Sequence, residues 1–238
     1  MNGLDGLKIK IFADGADKEG MLEMYKKPYI KGFTTNPTLM RKAGVTDYEA
    51  FSRDILQAIP DRPMSLEVFS DEFEEMEQQA RKIASWGENV YVKIPVMNTK
   101  GKYSQDLVRS LAKAGVKVNV TAMMTLKQVK DMVDVLVGGP PAYVSVFAGR
   151  IADSARDPVP LMAEAVKLCA AAPNVELIWA SPRELLNIFQ ADEIGCHVIT
   201  VTNDILKKLS TVGKDLEEFS LDTVKMFRND ALASGYRL

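Results

Sequence analysis

Short apolar runs alternate with helical patterns along the whole of this chain, and this alternation is the strongest constraint on its fold. Eight runs of five to seven residues can be distinguished. Most are apolar on both faces, which is typical of parallel strands covered by helices. Eight successive strand–helix units in 238 residues predict an α/β fold of the (β/α)8 TIM-barrel type. The predicted strands are residues 9–14, 32–36, 64–69, 90–96, 117–122, 142–147, 175–181 and 197–202.

We therefore expect a single barrel domain over residues 1–238. A doubly wound open sheet is the alternative, but no glycine-rich dinucleotide motif or phosphate loop follows any predicted strand. A short eighth helix is expected at about 204–210, and residues 216–234 predict an additional C-terminal helix. Such a helix could cover the barrel mouth or a neighbouring subunit.

Several helix starts are marked in the sequence. In segments 46–49 and 125–128, a threonine is followed three residues later by Glu or Gln, which is the pattern of a capping box. In segment 181–184, Ser181 is placed as an N-cap, with proline at the first helical position and glutamate at the third. These signals predict helices after strands two, five and seven.

Charge and residue counts exclude several classes of protein. The formal net charge of −2 provides no basic field for nucleic acid. No apolar run approaches the ~20 residues of a membrane span, and residues 1–10 do not have the pattern of a signal peptide. Two cysteines are too few for a secreted disulfide framework. We expect a soluble cytoplasmic protein that binds neither nucleic acid nor membranes.

The chain has one histidine, His197, which excludes multi-histidine metal sites. A Ser-His-Asp triad would have only this candidate, and His197 is expected at the start of strand eight, far from the carboxyl ends of the strands. We interpret it as structural. Any catalysis would then depend on lysine, carboxylates, hydroxyls and amides.

Lys93 lies in the middle of an apolar strand, Val90-Tyr91-Val92-Lys93-Ile94-Pro95-Val96. Lysine is among the residues least often buried, and burial of an unpaired ammonium favours loss of its proton. A neutral lysine amine is a nucleophile that forms Schiff bases with carbonyl compounds. The alternative interpretation is a lysine that reaches water or pairs with a carboxylate.

Polar residues stand at or near the carboxyl ends of strands one to seven, where the active sites of such barrels lie. A barrel built only for stability would not need so many. A Lys93 amine could attack a carbonyl there, while Asp14 and Glu67 move protons and Thr121 orients a water. The candidate site residues are Asp14, Thr34, Asn36, Glu67, Lys93, Asn119, Thr121, Ser145, Phe147, Arg150, Ser181 and Arg183.

The end of strand seven is also expected to bind phosphate. Ser181 stands where a helix amino terminus is predicted to follow the strand, which is a frequent phosphate site in these barrels. Arg150 and Arg183 could add charge-assisted hydrogen bonds. The alternative is that the Ser181 hydroxyl serves only as the helix cap.

Seven segments, in order along the chain, resemble the motifs of the transaldolase family, whose short members include fructose-6-phosphate aldolases. The match runs through strands one to seven. The segments are Phe12-Ala-Asp14-Gly-Ala-Asp17, Gly32-Phe-Thr-Thr-Asn-Pro-Thr38, Leu66-Glu-Val68, Val92-Lys-Ile-Pro95, Val118-Asn-Val-Thr121, Val144-Ser-Val-Phe-Ala-Gly-Arg-Ile151 and Ala180-Ser-Pro-Arg183.

The resemblance implies transfer of a dihydroxyacetone unit between sugar phosphates, as in the non-oxidative pentose phosphate pathway. Lys93 would form a Schiff base with a ketose phosphate, and Asp14 would take a proton from the C4 hydroxyl as the C3–C4 bond breaks. Glu67 and Thr121 would activate the water of imine formation and hydrolysis. No metal or organic cofactor is implied. The expected substrate contacts are Thr34, Asn36, Asn119, Ser145 and Phe147, and the expected phosphate contacts are Arg150, Ser181 and Arg183.

Two positions favour a transferase over a lyase that releases dihydroxyacetone. The related aldolases tend to have Gln at the position of Glu67 and Tyr at that of Phe147. Departures at Gly15, at Pro182 and in segment 121–125 leave the identity of the sugar open. A catalytically silent sugar-phosphate-binding barrel is a third interpretation. The resemblance also implies a homo-oligomer, either a pentamer stacked to a decamer or a dimer.

Overall fold

Eight parallel strands close into a barrel in the computed structural model of this protein, which describes residue 4 and residues 6–237. Strand order follows the sequence, and β8 pairs with β1 to complete the ring, so the predicted barrel is confirmed. Most of the chain's first five residues lie outside the described residues. The strands are β1 (Lys10–Asp14), β2 (Ile30–Thr34), β3 (Met64–Glu67), β4 (Val90–Pro95), β5 (Val118–Met123), β6 (Ala142–Val146), β7 (Val175–Trp179) and β8 (Val198–Thr202).

Helices follow each strand and cover the outside of the barrel. The predicted C-terminal helix is also present, with the predicted bounds. The helices are α1 (Lys18–Tyr25), α2 (Pro37–Lys42), α3 (Tyr48–Ala58), α4 (Phe73–Ala84), α5 (Gln105–Lys113), α6 (Leu126–Leu136), α7 (Ala148–Asp153), α8 (Pro158–Cys169), α9 (Leu186–Glu193), α10 (Asn203–Leu206), a 3-10 turn at Lys207–Thr211, and α11 (Leu216–Ser234).

The capping predictions had mixed outcomes. The capping box of Thr125 and Gln128 is confirmed at the start of α6. The one predicted at Thr46 was wrong, since Asp47 caps α3 by accepting a hydrogen bond from the Ala50 amide. Asp is at least as good an N-cap as Thr, so the neighbouring residue took the position.

The barrel interior is apolar at its centre and becomes polar toward the carboxyl ends of the strands. Phe12, Tyr91, Tyr143, Ile178 and Val198 form an apolar cluster at its centre. Gly32 makes room for this cluster, because a Cβ at that position would lie 2.6 Å from the Phe12 ring. Side chains two residues further along a strand face the same way. The next residues toward the carboxyl ends therefore also point inward, and they are polar on β1, β4, β6 and β8.

Helix α11 has no buried residue, and several of its large apolar side chains are exposed. It is not part of the barrel's helical layer. Within the described residues, no helix is long and apolar enough to cross a membrane. The exposed apolar residues on and just after this helix are Leu216, Phe219, Leu221, Val224, Met226, Phe227, Leu232 and Tyr236.

Candidate active site

A cavity of about 470 Å³ opens at the carboxyl ends of the strands. The structure brings all of the candidate side chains together here, although they come from seven strands and the segments that follow them. Those that line the cavity are Asp14, Thr34, Asn36, Glu67, Lys93, Asn119, Thr121, Ser145, Phe147, Arg150, Ser181 and Arg183. His197 lies outside it, and its Nδ1 accepts a hydrogen bond from the Leu177 amide at 3.1 Å.

Lys93 is buried, with 7 % of its surface exposed. Its Nζ donates to the Thr35 carbonyl oxygen at 2.7 Å and lies 3.0 Å from Glu67 Oε2. The Thr35 carbonyl takes one of the three N–H bonds of the ammonium, and Glu67 is in ion-pair contact with it. The amine is therefore paired with a carboxylate, as the alternative sequence interpretation allowed, and the same carboxylate is placed to take its proton.

Tyr48 holds Glu67 in place. Strand β2 ends at Thr34, whereas β3 continues to Glu67, so β2 does not extend alongside Glu67. The Tyr48 hydroxyl fills the gap. It accepts a hydrogen bond from the Glu67 amide at 2.8 Å and donates to the Glu67 carbonyl at 3.0 Å. Burial raises the pKa of Tyr48 far above its usual value, which keeps the phenol protonated and able to donate.

We expect Tyr48→Phe to lower the free energy of unfolding by about 1–3 kcal/mol, because it leaves two part-buried backbone groups of Glu67 without their partner. Urea unfolding would measure the change. Tyr29→Phe is the matched control, since the Tyr29 hydroxyl makes no side-chain hydrogen bond within residues 6–237. Equal stability of the two variants would contradict the role assigned to the Tyr48 hydroxyl.

Asp14 is the second carboxylate of the cavity. Burial raises its pKa, while the nearby Lys93 charge and a hydrogen bond from Thr34 lower it. The Thr34 hydroxyl donates to Asp14 Oδ1 at 2.7 Å. Asp14 is thus a half-buried carboxyl group in the cavity wall, with one ordered donor and an amine nearby. A group in this setting is suited to proton transfer at moderate pH.

A chain of hydrogen bonds crosses the floor of the cavity beside Lys93. The Ser145 hydroxyl donates to Asn119 Oδ1 at 2.7 Å, and Asn119 Nδ2 donates to Ser65 Oγ at 3.0 Å. On the opposite side, Asn36 Oδ1 caps α2 by accepting from the Leu39 amide at 2.9 Å. Its oxygen is therefore occupied, and its NH2 group is the part that could bind a substrate oxygen.

A bulge in β5 turns two adjacent residues into the cavity. The pairing register with β6 shifts between Val120 and Met123, and Ala122 has a φ of 63°. Thr121 and Ala122 consequently both line the cavity. Bulges of this kind redirect side chains and are common beside active sites.

The helix amino terminus predicted at Ser181 was wrong. Strand β7 ends at Trp179, Ser181 has a φ of 60°, and α9 begins only at Leu186. The amides of Arg183 and Glu184 are both taken by Asn187 Oδ1, at 2.8 and 3.1 Å. These two amides before α9 are thus not available to a ligand in the cavity, and the Ser181 hydroxyl does not cap α9.

The two arginines differ in their surroundings. Arg183 pairs with Asp153, with Nε 3.0 Å from Oδ1 and a second contact through Nη2. The Arg183 hydrogen bonds lower the pKa of Asp153. Arg150 lies on α7, in the same cavity wall. An anion in the cavity would therefore compete with Asp153 for Arg183. It could be bound more freely by Arg150.

Gly149 lets α7 approach the segment that follows β7. A Cβ at this position would lie 1.6 Å from the Ser181 carbonyl oxygen. We expect Gly149→Ala to destabilise the protein by about 1–3 kcal/mol and to raise KM for a phosphorylated substrate, because Ser181 must move. An unhindered Gly→Ala change inside a helix would instead stabilise it.

Gly15→Ala is the matched control, because a Cβ there would have no heavy atom within 4 Å. Urea unfolding would be measured for both variants, and KM would be compared between Gly149→Ala and the wild-type protein. A Gly149→Ala protein as stable as the Gly15→Ala protein would contradict the close packing of Gly149 on Ser181.

Sequence reasoning missed several residues of the site. Thr200 and Thr202 of β8 line the cavity, and Tyr48 fixes Glu67 from outside it. The β8 threonines could have been found, because they stand at the carboxyl end of a predicted strand like the other candidates. No pattern in the sequence distinguishes Tyr48 from other helix tyrosines.

Fold and cavity together define a (β/α)8 barrel enzyme with a buried lysine among polar residues at the strand ends. A family model described as Transaldolase/Fructose-6-phosphate aldolase matches residues 11–234. The chain therefore belongs to the transaldolase/fructose-6-phosphate aldolase family, as the sequence motifs indicated.

Curated relatives agree with this membership. A probable transaldolase of Dehalococcoides mccartyi is 33% identical over 202 residues, covering 84% of this chain and 90% of the relative. One of Streptococcus equi subsp. zooepidemicus is 31% identical over 203 residues, covering 85% and 90%. Each relative is matched over most of its length, so the similarity extends over the barrel rather than a single motif.

Solved structures support the fold. The 3-hexulose-6-phosphate synthase of Salmonella typhimurium has a TM-score of 0.56 at 15% identity, with 84% of this chain and 91% of that chain covered. A 2,3-dimethylmalate lyase has a TM-score of 0.55 at 10% identity, with 99% and 86% covered. At these identities, the likeness concerns the barrel architecture alone.

Proposed function

We propose that this protein is a transaldolase that transfers a dihydroxyacetone unit from a ketose phosphate to an aldose phosphate through an imine on Lys93. Fructose 6-phosphate and sedoheptulose 7-phosphate are the candidate donors. The family and the names of the relatives support this activity. The observation that carries the proposal is the buried Lys93 amine, 3.0 Å from Glu67 in a cavity of ligand size.

The first step is imine formation. The Lys93 ammonium gives a proton to Glu67, and the neutral amine attacks the ketone carbon of the donor. The resulting carbinolamine loses its hydroxyl as water, with Glu67 returning the proton. Thr121, which is buried in the cavity wall on the next strand, would orient that water. The product is a protonated imine that can accept an electron pair.

The second step is cleavage of the carbon–carbon bond. Asp14 takes the proton of the C4 hydroxyl, the C3–C4 electron pair moves toward the imine, and the aldose leaves. The three-carbon enamine then attacks the aldehyde of the acceptor, and Asp14 returns its proton to the new hydroxyl. Water hydrolyses the resulting imine by the reverse of the first step, which frees the product ketose and the Lys93 amine. The raised pKa of Asp14 suits a group that must both take and give a proton.

Substrate binding follows from the remaining cavity residues. Asn36, Asn119 and Ser145 would bind hydroxyls of the three-carbon unit, and Thr34 would lie beside the reacting end. Arg150, Ser181 and Arg183 would bind the phosphate. To bind the phosphate, Arg183 would either leave its ion pair with Asp153 or contact Asp153 and the phosphate at the same time. Phe147 would exclude water from the enamine until an acceptor arrives.

A lyase that releases free dihydroxyacetone is the second candidate, because the family model covers both activities. The test uses fructose 6-phosphate with and without erythrose 4-phosphate. A transferase makes sedoheptulose 7-phosphate and glyceraldehyde 3-phosphate only when the acceptor is present. Dihydroxyacetone formed at the same rate without acceptor would favour the lyase, and no product in either case would favour a silent sugar-phosphate-binding barrel.

We further propose that the protein is a cytoplasmic homo-oligomer of single-domain subunits. The exposed apolar side chains of α11 support a contact with a second copy, because a helix of this length with no buried residue is not stabilised by its own barrel. Two free, buried cysteines suit a reducing compartment. Sedimentation of the full chain would distinguish a dimer from a pentamer or decamer.

A further inference from the structure

Thr200 is joined to Asp14 through Thr34. On β8, the Thr200 hydroxyl is hydrogen-bonded to that of Thr34 at 2.5 Å, and Thr34 is bonded to Asp14 at 2.7 Å. Thr200 is 6 % exposed and lines the cavity. The mechanism proposed above gives it no role. The three side chains come from adjacent strands, since β1 lies between β2 and β8.

Proton counting fixes the direction of these hydrogen bonds. A threonine hydroxyl has one proton to donate and two lone pairs, and an ionised carboxylate only accepts. When Asp14 is ionised, the Thr34 proton points to Asp14, so Thr200 must donate to Thr34. When Asp14 is protonated, the whole chain can reverse, with Asp14 donating to Thr34 and Thr34 donating to Thr200.

These hydrogen bonds stabilise the ionised Asp14 carboxylate more than the protonated Asp14 carboxyl group. A hydrogen bond to a charged acceptor is stronger than one between neutral groups. Donation from Thr200 polarises the Thr34 hydroxyl and strengthens its bond to the carboxylate. The other charged groups that act on Asp14 are Lys93 of β4 and Glu67 of β3, with opposite effects. Neither of them contacts the two threonines in the described hydrogen bonds.

We propose that Thr200 is a positioning residue, which holds the Thr34 hydroxyl in the orientation that stabilises the ionised Asp14 carboxylate and reverses when Asp14 takes a proton. The effect on catalysis rests on the proposed function, because it is in carbon–carbon cleavage that Asp14 acts as base. The effect on the Asp14 carboxyl itself does not depend on that function.

Thr200→Val removes the hydroxyl and keeps the branched shape, and Thr200→Ala removes it without adding a methyl group. In both variants we expect the pKa of Asp14 to rise by about half a unit to one unit. The acid limb of the kcat/KM profile should move to higher pH by the same amount. Thr200→Ser restores the hydroxyl and should restore the wild-type profile.

A double-mutant cycle separates this role from simple packing. If Thr200 acts through Thr34, removing its hydroxyl should have no further effect in a Thr34→Val background. The Asp14 carboxyl would be followed by its ¹³C chemical shift, with Asp14→Asn used for assignment. This readout decides the inference even for an enzyme that does not transfer dihydroxyacetone.

An unchanged Asp14 titration in Thr200→Val and Thr200→Ala would overturn the inference. The inference would also be overturned if removing the Thr200 hydroxyl shifted the Asp14 pKa equally with and without the Thr34 hydroxyl. A failure of Thr200→Ser to restore the wild-type Asp14 titration would overturn it as well. By contrast, a wild-type protein that makes no transfer product would overturn the proposed function while leaving the titration result valid.

Discussion

Lys93→Met is expected to abolish turnover of a ketose phosphate, with a loss of more than about a thousandfold. The methionine side chain has a similar length but no amine, so the imine cannot form and the electron sink is absent. Residual rates in enzymes that lose a covalent nucleophile come only from binding and from the remaining groups. Turnover would be measured with fructose 6-phosphate and an acceptor aldose phosphate.

The same substitution is expected to disturb the site electrostatically. It leaves the partly buried Glu67 carboxylate without the Lys93 amine at 3.0 Å, and the loss of one partner of such a pair is destabilising. The double variant Lys93→Met/Glu67→Gln removes both charges and should recover stability without activity. Lys167→Met, on the exposed surface of α8, is the control. Activity in the stable double variant would exclude Lys93 as the nucleophile.

Asp14→Asn is expected to slow carbon–carbon cleavage by about 10²–10⁴-fold, the usual contribution of a general acid–base group. Imine formation should persist, because it depends on Lys93 and Glu67, which form their pair without Asp14. The variant should therefore accumulate the imine of the intact ketose. Asn keeps the size of Asp and an oxygen that can accept from Thr34.

The two steps can be measured separately. Rapid quenching with borohydride would give the fraction of enzyme carrying the ketose, and release of the aldose would give the cleavage rate. Asp17→Asn is the matched control, because the side-chain hydrogen bond of Asp17 within residues 6–237 is the cap of α1 through the Gly20 amide, and Asn caps equally well. Normal cleavage by Asp14→Asn, or loss of its imine, would contradict the division of roles.

Much of the fold follows from the sequence because its signals are local and repeated. Apolar runs of strand length, each followed by a helical pattern, leave few architectures other than a barrel. The cavity follows from the same reasoning, since parallel strands bring their carboxyl ends to one face. Residues as far apart in the chain as Asp14 and Arg183 can therefore be assigned to one site from the sequence alone, and both line the cavity.

What the sequence did not predict depends on contacts between elements. The start of α9 was misplaced because Ser181-Pro182 has the pattern of a helix start, while Asn187 in the helix caps the loop amides instead. The pairing of Tyr48 with Glu67 depends on where β2 ends beside β3. Strand β2 itself lies earlier than predicted, because Asn36 caps α2 and cannot continue the strand.

The roles of Asp14 and Glu67 also depend on contacts between elements. Strand order places Glu67 next to Lys93 and Asp14 next to Thr34 in the paired registers. The side-chain contacts then decide which carboxylate meets the amine and which meets a hydroxyl. The sequence identified both carboxylates as proton carriers, but the difference in their environments could be seen only in the folded protein.

The central claim is that Lys93 forms the covalent intermediate, and one measurement tests it most directly. The full-length protein would be incubated with saturating fructose 6-phosphate, reduced with borohydride, digested and analysed by peptide mass. We expect one modified lysine, Lys93, carrying the reduced three-carbon or six-carbon adduct, and no adduct in Lys93→Met. An adduct confined to another lysine, or no adduct at all under saturating ketose, would contradict the account.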